Sequence, residues 1–220
     1  MEDVMKKSIA VLGLGKYGRS LVENLYKMGA DVLAVDAKEE IVNEISDRCT
    51  SAICADLTNE EEVIALGLKN MDIVITAMGR NLAASIMSVA VAKEQGVKLV
   101  VSKASTDRMA TILTKVGADK ILDPEEEGGV RSARILMSSL FRDFFEIDEN
   151  MYMIEMQPKK EWVGKNLMEL ELRKNLNLNV LAVKEKGEKW SFVDPKKAFS
   201  DTCTILIVME KKDMKKWKLN

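Results

Sequence analysis

The 220-residue chain contains no histidine. That absence removes the residue most used as a general base, the commonest metal ligand and the imidazole of a Ser-His-Asp triad. Cysteine is scarce, with only Cys49, Cys54 and Cys203. Their spacing fits no zinc framework, and an odd count argues against a disulfide scaffold. A reduced, cytoplasmic setting is therefore expected. No run reaches the ~18 apolar residues of a membrane-spanning helix, so any membrane association is expected to come through a partner. Residues 1–7 lead straight into a strand-like run, and no secretory leader is expected. An excess of charge of one sign is also missing: 33 basic residues face 35 acidic ones, for a net charge of -2. No global basic field is available to hold nucleic acid. Neither a Walker Gly-Lys-Ser/Thr nor the Tyr-x-x-x-Lys pair of short-chain dehydrogenases occurs.

What is present is a chain that can bury a core, with 47% apolar residues. Short, nearly all-apolar runs at 8–12, 31–35, 51–55, 72–76, 98–101 and 120–122 read as strands covered on both faces. Segments with helical apolar spacing lie between them, such as Leu21, Val22, Leu25 and Met28. This alternation predicts an α/β fold with a Rossmann-like, doubly wound parallel sheet. Pro124 followed by three glutamates predicts a further helix. Its large apolar groups, Ile135, Leu136, Leu140, Phe144 and Phe145, suggest that it leaves the sheet and packs across a dimer interface. Beyond residue 150, runs at 151–156, 179–184, 189–193 and 204–209 read as strands, with a short helix at 166–174 and a hairpin turn at Lys186-Gly187-Glu188. The basic stretch 211–218 reads as a solvated terminal helix. The expected organisation is a nucleotide-binding domain over residues 1–140 and a small α+β domain over 141–220.

One motif carries chemistry. In Ser8-Ile-Ala-Val-Leu-Gly13-Leu-Gly15-Lys-Tyr-Gly18 a strand runs into a glycine-rich turn and a helix start. Gly13 permits the tight turn, Gly15 lets a diphosphate approach the backbone, and Gly18 lets helix and strand pack closely. The free N–H groups and dipole of the helix start favour phosphate. Asp36, 18 residues after Gly18, ends the second strand, placed to accept hydrogen bonds from ribose hydroxyls. The spacing admits NAD(H) or an adenine mononucleotide, and the aspartate disfavours the 2′-phosphate of NADP. No residue presents itself as the acid/base of a dehydrogenase, so binding as a signal is the simpler reading. An NAD-dependent oxidoreductase using a Tyr or Lys acid is the alternative.

Further segments follow in order: Cys54-Ala-Asp56-Leu-Thr58, Ala65-Leu-Gly67, Asp72-Ile-Val-Ile-Thr-Ala, Asn81, and Val116-Gly-Ala-Asp119-Lys-Ile-Leu-Asp-Pro124-Glu125. Together with the glycine run, they resemble the RCK domains (regulators of the conductance of potassium) of Trk/Ktr potassium uptake systems. Trp162-Val-Gly164-Lys-Asn-Leu167-Met-Glu169-Leu170-Glu-Leu-Arg173 with Val180-Leu-Ala-Val183 is similar to the accompanying C-terminal TrkA-C domain. The resemblance implies a non-enzymatic cytosolic regulatory subunit, peripheral to the inner face of the membrane. It implies homodimers, octameric rings in the Ktr type, and a membrane-embedded potassium transporter as partner. ATP/ADP or NAD/NADH would change ring shape and gate the pore. Residue by residue, Gly13, Gly15, Lys16, Tyr17 and Gly18 would surround the phosphates, Asp36 and Lys38 the ribose, and Asp56 and Leu57 the base. Ala77 and Gly79 would flank the nucleotide, and Lys103 would neutralise phosphate charge. Glu125 would help hold a divalent cation, magnesium or calcium, across the dimer. Some relatives bind cyclic di-AMP at the C-terminal domain, where Arg173 is the candidate contact. Lys16 stands where the Ktr branch often has arginine, and Ser200-Asp201-Thr202 replaces the usual Gly-Asp before the last strand.

Overall fold

The computed structural model describes residues 6–136 and 141–214. The chain divides into two compact units, the first ending at Glu125 and the second beginning at Glu126.

In the first unit six strands form one sheet: β1 (Ser8–Leu12), β2 (Asp31–Asp36), β3 (Ser51–Cys54), β4 (Ile73–Thr76), β5 (Leu99–Lys103) and β6 (Lys120–Leu122). Their order is β3-β2-β1-β4-β5-β6, and every neighbouring pair is parallel. Helices α1 (Lys16–Lys27), α2 (Glu39–Ile45), α3 (Glu60–Ala65), α4 (Leu82–Glu94) and α5 (Asp107–Val116) connect the strands. Alternate residues of a strand enter opposite cores, because successive side chains point to opposite faces. Ala10 and Leu12 join Val63, Val89 and Leu113 on one side. Ile9 and Val11 join Val22, Val32 and Ile45 on the other. Several helix starts are fixed by their own sequence. Asn59 accepts the Glu61 N–H at 3.0 Å, Asn81 the Ala84 N–H at 3.1 Å and Thr106 the Met109 N–H at 3.2 Å, so each supplies an acceptor for an orphan donor.

Helix α6 (Pro124–Leu136) begins where the units divide. The second unit holds β7 (Phe141–Glu146), β8 (Met151–Met156), β9 (Leu178–Lys184), β10 (Ser191–Phe192) and β11 (Thr204–Glu210), in the order β10-β9-β11-β8-β7. All its pairs are antiparallel, and β9 and β10 flank the expected hairpin turn. The short helix expected at 166–174 is two, α7 (Leu167–Leu170) and α8 (Leu172–Leu176). Asn166 and Glu169 form a capping box at the start of α7, and Glu171 breaks the run with a left-handed backbone at φ 45°. A terminal helix α9 opens at Lys211 and is described to Met214.

One expectation is overturned. The helix from Pro124 is described to Leu136, and Phe144 and Phe145 lie in strand β7, not in that helix; Leu140 lies outside the described residues. A register shift between Phe141 and Asp143 lets β7 bury Phe141 and Phe144, three residues apart, on one side. That spacing imitates a helical stripe. Phe141 and Phe144 are 6% and 2% exposed within the second unit, so they need no dimer to cover them.

Helix α6 is tied to β7 by charge. Arg131 Nε donates to Asp143 Oδ1 at 2.8 Å, and Arg134 Nη1 donates to Glu146 Oε2 at 2.7 Å. The Arg131 guanidinium, with a hydrogen bond from the Phe144 N–H, holds the Asp143 carboxyl below the usual carboxylate range. A carboxyl that ionises more readily folded than unfolded stabilises the fold above its unfolded pKa, and that contribution is lost as pH falls through the folded value. Asp143→Asn should therefore cost about 1 kcal/mol near neutral pH, discounted for exposure of the pair, and progressively less in acid. Thermal melts of both proteins from pH 7 down to pH 3 check this; a pH-independent difference would contradict it.

Candidate functional site

β1 ends at Leu12, and the chain turns at Gly13 with φ +95°, where a side chain is strained. A Cβ there would also lie 2.4 Å from Met78 Cγ. The Gly13 N–H donates to Val35 O of β2 at 2.7 Å, and the Ala77 N–H donates to Leu12 O at 2.7 Å. The turn is thus pinned where the sheet order reverses, between β1 and β4. In an open α/β sheet ligands bind in the crevice outside the strand C-termini at such a switch point.

The three glycines have separate roles. A Cβ on Gly18 would sit 2.0 Å from Gly13 O, so only glycine lets α1 begin this close to the turn. Gly15 has nothing within 4 Å of its Cβ position. The protein itself does not require glycine there, and that open space is what a close-lying phosphate would use. Gly15 is also the N-cap of α1, which has no side-chain cap and no acid in its first turn. By contrast, α2 opens with Glu39 and Glu40, α3 with Glu60, Glu61 and Glu62, and α5 with Asp107. The positive end of the α1 dipole is left for an anion.

Asp36 is anchored at the end of β2. Its Oδ2 accepts the Leu14 N–H at 2.7 Å, and its Oδ1 accepts the Lys38 N–H at 3.0 Å. One carboxylate therefore joins the glycine turn to the start of α2 and keeps acceptor capacity on both oxygens.

A cleft of about 900 Å³ opens over these elements. Gly13, Gly15, Lys16, Tyr17 and Asp36 line one part, and Ala77, Gly79, Lys103 and Glu125 line another. Gly18 is buried beneath it, and Lys38 contributes its backbone N–H to Asp36. Leu57 is buried in the core. The Asp56 carboxylate accepts the Thr58 hydroxyl at 2.7 Å and the Thr58 N–H at 2.9 Å, which holds its carboxyl below the usual range. Neither Asp56 nor Leu57 lines the cleft. Lys103 is 8% exposed and paired through Nζ with Glu125 Oε1, with its Nζ 5.5 Å from the Tyr17 ring centre.

The cleft also includes Ser20, Met78, Arg80, Asn81, Ser105 and Pro124, which the sequence reading did not assign to the site. Two signals point to some of them. Met78, Arg80 and Asn81 follow the C-terminal end of β4 at the switch point, and Ser20 is one helical turn beyond Lys16. Among the described residues, no group of three or more His, Cys, Asp or Glu comes together as a metal site. Glu125 is paired with Lys103 and belongs to no such group among those residues.

A glycine turn at the switch point of a parallel sheet puts the first unit among Rossmann-like domains that cradle nucleotides. Residues 9–124 match the TrkA-N domain, and the chain belongs to that family. It is 36% identical over 184 residues to "Ktr system potassium uptake protein C" of Bacillus subtilis (strain 168), covering 84% of this chain and 83% of the relative. It is 31% identical to "Ktr system potassium uptake protein A" of the same organism, covering 99% and 98%. Among solved structures, the GsuK RCK domain matches with a TM-score of 0.64 at 14% identity, over 98% of this chain and 47% of that one. The chain thus spans about half the length of that structure. The TrkA-N domain of the Escherichia coli inner membrane protein ybaL matches with a TM-score of 0.53 at 21% identity, over 61% of this chain and 98% of that one.

The glycine geometry separates folding from binding. Gly18→Ala should destabilise the first unit by about 1–3 kcal/mol, the range for overpacking. Gly15→Ala should cost about 1 kcal/mol or less as a cap change, yet abolish nucleotide binding. Denaturant titration with calorimetry of each variant checks the pair. Equal loss of stability in both would contradict the assignment.

Proposed function

We propose that the chain is a nucleotide-binding regulatory subunit of a membrane potassium-uptake system, acting by ligation and not by catalysis. The observation that carries this reading is the cleft. Gly15 leaves open backbone at an uncapped helix start, and Asp36 is fixed beside it, in a chain similar along most of its length to Ktr potassium uptake proteins. Gly13, Gly15, Lys16, Tyr17 and Lys103 would take the phosphates and Asp36 the ribose, with Ala77 and Gly79 flanking them. The volume suits an adenine nucleotide, ATP/ADP or NAD/NADH. A GsuK channel solved "bound to NAD" shares the fold, with a TM-score of 0.64 at 12% identity, and keeps NAD on the panel to be tested.

Among the described residues no helix is long and apolar enough to cross a membrane, so the proposed subunit would reach its channel through a membrane-embedded partner. It would do so from the cytoplasmic face, as a homodimer or an octameric ring. Two nucleotides can switch such an assembly only if each binds its two shapes with different affinity. In the second unit a groove of about 490 Å³ includes Arg173 and Lys174 and is our candidate place for cyclic di-AMP.

Calorimetry with ATP, ADP, NAD, NADH and cyclic di-AMP, beside light scattering and small-angle scattering, tests the reading. At least one adenine nucleotide should bind the wild-type protein and change the scattering of an oligomer, without turnover. Asp36→Ala should weaken that nucleotide at least tenfold, a loss of about 1.4 kcal/mol. Unchanged affinity, a monomer at micromolar concentration or steady consumption of NADH would overturn it.

A further inference from the structure

The Lys103–Glu125 pair is lopsided. The Lys103 side chain is 10% exposed and the Glu125 side chain 63%. The lysine is held from several sides. Its stem lies against Gly79, where a Cβ would come within 3.0 Å of Lys103 Cε and 3.3 Å of Nζ. Its ammonium stands 5.5 Å from the Tyr17 ring centre. Its neighbour Ser102 is buried, with its hydroxyl 2.5 Å from the Thr76 hydroxyl. Lys103 cannot leave without breaking packed contacts. Glu125, the second residue of α6, is tied down by no other ion pair among the described residues.

A buried ammonium needs an anionic partner, because its charge is costly to hold unpaired. Both groups of the pair line the same cleft as Gly15 and Lys16. We infer that Glu125 is a built-in counter-ion that occupies Lys103 until an anionic ligand group replaces it, so that it sets the charge selectivity of the cleft. This rests on the nucleotide reading above. When a phosphate reaches Lys103, the ammonium exchanges one anion for another and stays paired. The carboxylate, already mostly in water, turns outward with little desolvation to reverse. If it stayed, two anions would share one cation at close range, which opposes binding. The ligand therefore has to outcompete Glu125, and groups of higher negative charge do so better. Lys103 is the fixed member and Glu125 the moving one, so the first turn of α6 is where ligand charge is registered.

The expected roles can be told apart in buffer stripped of divalent ions. A carboxylate acting as counter-ion restrains phosphate binding there, whereas one that only holds a metal does nothing. The full chain is titrated with ATP, ADP, AMP and adenosine by calorimetry in EDTA, comparing wild type with Glu125→Gln. The glutamine keeps the size and loses the charge. Glu125→Gln should bind ATP about fivefold to tenfold more tightly than wild type. The gain should shrink through ADP and AMP and vanish for adenosine. In a Lys103→Met background Glu125→Gln should give no gain, which a double-mutant cycle measures. If Lys103→Met fails to fold, the graded series on Glu125→Gln alone decides. Glu125→Gln that binds ATP no more tightly than wild type, or gains equally for adenosine, would overturn the counter-ion role and leave the nucleotide site standing. Wild type that binds none of the four, and neither NAD nor NADH, would overturn the nucleotide reading and this inference with it.

Discussion

The site depends on one missing methyl group. Gly18 lies so close to Gly13 that a Cβ would fall 2.0 Å from the Gly13 carbonyl oxygen. This contact fixes where α1 starts relative to the end of β1. With the helix start fixed, Leu14 can donate its N–H to Asp36, and Gly15 lies at the open N-terminus of α1. Asp36 in turn holds the Lys38 N–H and so the entry to α2. A steric constraint between two backbone segments is thereby converted into the placement of a carboxylate and an anion cradle. Side-chain chemistry enters only after the backbone has been packed.

The parallel sheet is legible because its inner strands, unlike the more exposed edge strands β3 and β6, are buried on both faces. Such strands appear as short unbroken apolar runs, and β1 and β2 match the expected runs to within one residue. The glycine turn was readable for a related reason, since each glycine answers a local backbone need that its spacing displays. The segment from Phe141 to Phe145 was not. A strand ordinarily buries every second residue, but the irregularity after Phe141 moves the next buried ring to Phe144. Spacings of three and four are what a helix shows, and the sequence offers no local sign that separates a bulged strand from a helical stripe. The break in the 166–174 helix is hidden too, because Glu171 is an ordinary helix former by type and yet has a left-handed backbone.

The cleft divides along the same line. Gly13, Gly15 and Asp36 belong to one contiguous βαβ unit, and their roles follow from local order in the chain. The burial of Lys103 comes from Gly79, Tyr17 and Glu125, which tertiary structure brings to it from three distant segments. A lysine at a strand end gives no sign of this by itself. Asp56 shows the opposite case: it follows β3 as a site residue would, but it lies outside the cleft lining, with its Oδ1 accepting from Thr58 in a tight turn. Position at a strand terminus selects candidates, and only tertiary placement separates Asp36, in the cleft lining, from Asp56, outside it.

The missing histidine bears on what the cleft can sense. Histidine is the side chain that ordinarily changes charge between pH 5 and 8, and this chain has none. The ionisable side chains lining the cleft include Lys16, Arg80 and Lys103 on one side of the balance and Asp36 and Glu125 on the other. These are side chains of opposite charge arranged around a helix start, and two of them are paired with each other. A charged group entering such an array meets cations and anions together. Nucleotides that share one adenosine and differ in phosphate number differ in the charge they bring. A site built to distinguish them needs a cation that cannot move and an anion that can, and Lys103 and Glu125 differ in burial in that sense.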